Sequence, residues 1–97
     1  MPTYVSLMNW TDQGIREFKG TVERSKQASS LAAQMGGELK AIYWTVGPYD
    51  IVAVADFPDE ETGIAFQLAL GSGGNLRTIT LPAHTADDMA GIIAKLG

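Results

Sequence analysis

The chain contains no cysteine and only one histidine, His84. Without a thiol there is no disulfide, no thiolate nucleophile and no cysteine-type zinc site, and a single imidazole leaves few borderline metal ligands. Basic residues are also few: seven Lys plus Arg against eleven Asp plus Glu give a formal charge of −4 and a pI near 4.7. That is the wrong sign for sequence-independent contact with phosphate backbones, so no nucleic-acid partner is expected. No apolar run approaches the roughly 18 residues of a membrane span, and the N-terminus has no basic segment leading into an apolar stretch and a cleavage site. These absences together predict a cytoplasmic protein with no membrane contact, no metal and no cofactor.

What is present is ordinary for a folding chain. Forty-five per cent of the 97 residues are hydrophobic and 19% charged, which fits one globular domain over residues 1–97 and leaves no room for a second. A chain this short buries a modest share of its surface, so association with further copies would add stability.

The stretch Thr45 to Phe57 is the centre of the pattern. Gly47-Pro48 punctuates the chain as a hairpin turn, and Ile51-Val52-Ala53-Val54-Ala55 is an unbroken apolar run of strand length. Thr3 to Met8 predicts an earlier strand. Thr11 reads as a helix N-cap with Asp12 meeting the positive end of the dipole. From there Ile15, Phe18, Val22, Leu31, Ala32 and Met35 predict one long amphipathic helix, broken or kinked near Gly20-Thr21 and ended by Gly36-Gly37, its Phe18, Val22, Leu31 and Met35 stripe in the core. Glu38 to Val46 predicts a strand with Leu39, Ala41, Tyr43 and Thr45 on one side and Lys40, Ile42, Trp44 and Val46 on the other. Pro58-Asp59-Glu60-Glu61 opens a helix whose expected buried side is Ile64, Ala65, Phe66, Leu68, Ala69 and Leu70. Leu76 to Leu81 predicts a fourth strand. Thr85-Ala86-Asp87-Asp88 predicts a capping box for a last helix over about 85–96, with Met89, Ile92, Ile93 and Leu96 on one face.

The order strand, helix, strand, strand, helix, strand is the α+β, ferredoxin-like βαββαβ pattern: a four-stranded antiparallel sheet with two helices on one face, here with a C-terminal helix added. The other face stays bare. Because Ile51, Ala53 and Ala55 point one way and Val52 and Val54 the other, both faces of the central strand are expected to be covered. The expected cover is a homodimer or higher homo-oligomer packed sheet on sheet.

The run Gly47-Pro48-Tyr49-Asp50, its continuation Ile51 to Pro58, and Leu68-Ala69-Leu70-Gly71-Ser72 with Asn75-Leu76-Arg77-Thr78 resemble the GYD domain family, over about residues 3–85. The resemblance implies a dimeric α/β barrel. It also brings in a neighbouring group, the ligand-sensing domains of Lrp/AsnC-type regulators, which share a similar Gly-x-Tyr-Asp entry to the third strand and bind small effectors between subunits. No helix-turn-helix precedes this domain, which argues against a direct regulator.

Several residues are candidates for a site. Tyr49 and Asp50 offer a hydroxyl and a carboxylate to a small-molecule pocket; the simpler reading is that Tyr49 packs and Asp50 accepts backbone hydrogen bonds that hold the hairpin. Asn9, Trp10, Trp44 and His84 lie on strands or at strand ends and converge if the chain resembles the cofactor-free monooxygenases of the same barrel group, with His84 as a general base. Asp59-Glu60-Glu61 and Asp87-Asp88 read as solvated helix starts, not metal ligands. Gly71-Ser72-Gly73-Gly74 follows a helix and lacks the Lys-Ser/Thr pair of a phosphate loop. Three functions follow as expectations: a small oligomeric protein binding an apolar molecule between sheet and helices or between subunits, a cofactor-free monooxygenase or isomerase, and a stand-alone effector-sensing module.

Overall fold

Strand β3 (Ile51–Asp56) lies inside the sheet, hydrogen-bonded on one side to β1 (Thr3–Trp10) and on the other to β2 (Glu38–Trp44) in a computed structural model covering residues 1–97. The fourth strand, β4 (Leu76–Ala83), pairs with the free side of β1, so the order is β2-β3-β1-β4 and every pairing is antiparallel. With α2 (Thr21–Gln34) and α3 (Glu60–Ser72) as the two main helices, this is an α+β sheet of the ferredoxin-like kind. Pro82, with no amide to donate, is tolerated because β4 is an edge strand.

Residue register decides what each face holds. Ile51, Ala53 and Ala55 are buried beneath the helices with Ser6 and Met8 of β1, while Val52 and Val54 alternate to the other face and are half-buried. On that second face Val5 and Leu7 pair with Val54 and Val52 on one side and with Leu81 and Ile79 on the other. Ile79, Leu81 and Tyr43 are exposed there. An apolar centre is bounded by polar ends: Asn9 pairs with Arg77 at one, and Thr3, Asp56 and Lys40 interact at the other through a 2.6 Å hydrogen bond and a 3.5 Å ion pair.

The structure corrects the expected helix and strand faces in three regions. The first helical region breaks at Gly20-Thr21 as expected, α2 starting at Thr21 with Gly20 as its N-cap, but the break is wider than a kink: α1 (Asp12–Arg16) ends at Glu17 and a 3-10 turn covers Phe18–Gly20. This change of direction carries Ile15, Phe18 and Val22 out of the core and leaves them exposed, whereas Leu31 and Met35 pack on it. β2 ends at Trp44, and an irregularity between Leu39 and Ala41 reassigns its faces: Leu39, Ile42 and Trp44 now line up with Ala55, Ala53 and Ile51. An inserted residue does this because side chains alternate with period two. In α3 the buried side is Gly63 and Phe66, with Gln67 and Leu70 partly covered, while Ile64 and Leu68 face outward. A nearly continuous apolar run carries no helical period by which to choose the inner face.

The caps expected at Thr11 and Thr85 formed, and Asp59, expected in the first turn of its helix, is its N-cap instead. Thr11 accepts the Gly14 amide, Asp59 accepts the Thr62 amide at 2.8 Å, and Thr85 and Asp88 form a reciprocal capping box on α4 (Ala86–Ala94). Yet every residue of α4 is exposed, including Met89, Ile92 and Ile93. It does not pack on its own sheet.

Candidate functional site

The helix-covered side of the sheet has two small clusters. At one end Ala32, Ala55, Phe57 and Phe66 close a dry core, with the Phe57 and Phe66 rings 4.9 Å apart and tilted. At the other, Met8, Ile51 and Ala53 form a floor on which Trp10, Ile42 and Leu76 pack. Above this floor a cavity of about 260 Å³ opens between the sheet and the helices α2 and α3. Small side chains make the space: Ala53 in the floor, Ala28 on α2 and Ala69 on α3 contribute no bulk to fill it.

Both tryptophans line this cavity. Trp44 is held by its indole N–H, which donates to the Thr21 hydroxyl at 3.0 Å, tying β2 to the start of α2. Trp10 is held through its backbone: its amide donates to Asp50 Oδ2 at 2.9 Å, and the Asp50 amide donates back to the Met8 carbonyl at 2.9 Å. The hairpin behind Asp50 is closed by Thr45, whose amide and hydroxyl donate to the carbonyls of Asp50 and Tyr49. The carboxylate in the Gly-Pro-Tyr-Asp turn thus ties the end of β1 to the β2–β3 hairpin and thereby sets the position of Trp10. A second tie crosses from α1, where a Cβ on Gly14 would come within 2.0 Å of the Asn75 carbonyl oxygen; only glycine permits that approach.

The six sequence-predicted residues therefore separate. Trp10 and Trp44 share the cavity, and Tyr49 and Asp50 lie in the hairpin at the same end of the sheet, outside the lining. Asn9 points to the opposite, bare face. His84 does not join them. It follows Ala83, which pairs with Thr3, whereas Trp10 pairs with Leu76, seven strand steps away and on the order of 23 Å at about 3.3 Å per residue. Within one chain no imidazole reaches the cavity, and no cluster of three or more metal-ligating side chains forms anywhere.

Polar residues also line the cavity, among them Ser6, Gln67 and Arg24, which were not singled out by sequence. Ser6, buried in the floor, accepts a hydrogen bond from Gln67 Nε2 at 3.0 Å, and Gln67 Oε1 is buried with no partner. Each interrupts an otherwise apolar segment, Tyr4 to Met8 and Ile64 to Leu70, and that was the available signal. Arg24 gave no such signal, because it sits among the other charges of the polar helix face.

A ferredoxin-like sheet with a helix-covered apolar cavity and a bare second face defines the class. Within it, the GYD domain family model matches residues 4–93, and the chain belongs to that family. It is 35% identical over 97 residues to the glutamine synthetase and cystathionine beta-lyase binding protein of Thermus thermophilus, covering 99% of each chain. No solved structure shows a significant match.

Proposed function

We propose that this chain is a binding subunit, working in the cytoplasm, that holds a small apolar molecule between its sheet and helices. The observation that carries this is the cavity of about 260 Å³ with 14 hydrophobic residues among the 22 that line it and both tryptophans at its wall. Binding sites of this type combine an apolar lining with a few placed polar groups, here Ser6, Gln67 and Arg24. A ligand that prefers the folded state raises the melting temperature by mass action. Thermal melts against a library of small apolar metabolites should show hits that also perturb tryptophan fluorescence; flat curves throughout would end this reading. The oxygenase alternative has less support, because its intended base, His84, lies at the far end of the sheet.

Self-association through the bare sheet face belongs to the same proposal. A compact monomer of 10.3 kDa presents about 5,400 Å² of surface, whereas this chain presents 6389 Å². Its radius of gyration is 14.6 Å against roughly 12.5 Å for a compact chain of this length. The excess of about 1,000 Å², shared between the sheet face and the wholly exposed α4, is of the size one partner buries in a standard interface. The apolar centre and polar ends of the sheet face match the anatomy of such a surface.

A second reading, an adaptor for metabolic enzymes, is supported by the whole-chain similarity to a relative named for binding glutamine synthetase and cystathionine beta-lyase, and by the unpacked apolar stripe of α4. It expects purified glutamine synthetase or cystathionine beta-lyase to co-migrate with this protein in gel filtration, and to lose it when Ile92 and Ile93 are changed to Ser. Independent elution of all three proteins would dismiss it.

A further inference from the structure

Among the residues lining the cavity, one is charged, and it is a cation in a chain with a formal charge of −4. Arg24 is half-buried, and no carboxylate lies within ion-pair distance of it, the chain's ion pair being Lys40 with Asp56. Its Nη2 donates to the Glu17 carbonyl at 2.7 Å, which fixes the guanidinium against the turn between α1 and α2 and leaves the other donors of the fork uncommitted. Gly20 lies beside the same group: a Cβ there would come within 2.8 Å of Nη1. Helix electrostatics do not account for the placement, since a cation near a helix N-terminus works against the dipole and Arg24 is the fourth residue of α2.

From this we infer that the ligand is a small apolar acid, its hydrocarbon or aromatic body against Trp10, Trp44 and the Met8–Ile51–Ala53 floor, and its carboxylate on Arg24. A planar fork with free donors suits a carboxylate, and the lining offers an apolar body no other charge. A cavity of about 260 Å³ has room for a six-carbon acid. The inference rests on the cavity being a ligand site, and the experiment separates the two.

Hexanoate and hexanamide have nearly the same shape and differ in charge. Titrated into the wild-type protein and followed by the indole N–H resonances of Trp10 and Trp44, hexanoate should bind about tenfold more tightly, as a charge-assisted hydrogen bond at a partly exposed site provides, and added salt should weaken hexanoate alone. Arg24→Gln should bring hexanoate down to the affinity of hexanamide and so remove the tenfold preference and its salt dependence; Arg24→Lys should retain part of both. Equal binding of acid and amide by the wild-type protein would overturn the role of Arg24 and leave the cavity reading standing, whereas binding of neither would remove both. If Arg24→Gln does not fold, the wild-type preference and its salt dependence, together with Arg24→Lys, still decide.

Discussion

At the scale of single residues, Asp50 is the clearest case of a side chain whose work is positional. Its carboxylate takes the amide of Trp10 and its own amide reaches the Met8 carbonyl, so one residue joins the end of β1 to the hairpin and sets where Trp10 meets the cavity. Asp50→Ala would strand the half-buried Trp10 amide, at about 1–3 kcal/mol, whereas Asp50→Asn keeps an acceptor oxygen and should cost less. Urea denaturation at unchanged m-value checks the order, Ala below Asn below wild type. A change in the Trp10 indole resonance for Ala alone would tie the loss to the cavity wall.

Among the elements, α4 stands apart. Nine residues of helix with no packing are marginal in water, so its capping box contributes a large part of what holds it. Asp88 accepts the Thr85 amide, and this bond, assisted by the Thr85 side chain, holds its carboxyl below the ordinary carboxylate range. The folded-state value therefore lies below the unfolded one. The stabilisation is present above the ordinary value of roughly 4 and is lost as pH falls through the lowered folded value. Helical content measured by circular dichroism should drop in that acid window, and Asp88→Ala should start lower at neutral pH and show a smaller drop. Asp59 behaves alike at the start of α3, where the Thr62 amide lowers its pKa, but the buried Phe66 and Gly63 keep α3 in place when that cap is weakened.

For the whole molecule the governing feature is incomplete burial. Only ten of 97 residues are buried, and the outer face of the sheet exposes Ile79, Leu81 and Tyr43 beside half-buried Val52, Val54 and Leu7. The proposed self-association predicts, by sedimentation at micromolar concentration, a mass of two or more chains. Leu7→Glu, at the centre of that face and away from the helix-side core, should shift the protein to a monomer that keeps its secondary structure. A wild-type chain that sediments as a stable monomer would refute the assembly.

Sequence alone determined the local features, because their causes are local: the strand at Ile51–Asp56, the Gly-Pro turn, the caps at Thr11 and Thr85, and an element order that matches the ferredoxin-like sheet. It also showed that Val52 and Val54 leave an apolar second face. Tertiary structure decided which side of each element faces inward. Ile64 and Leu68 point outward since a nearly continuous apolar run has no preferred face until it packs, and Ala41 and Tyr43 part from Leu39 because of one irregular residue in β2. The cavity belongs to the same category. Trp10, Trp44, Ser6, Gln67 and Arg24 come from four different elements, and only the gap between helices and sheet makes them neighbours.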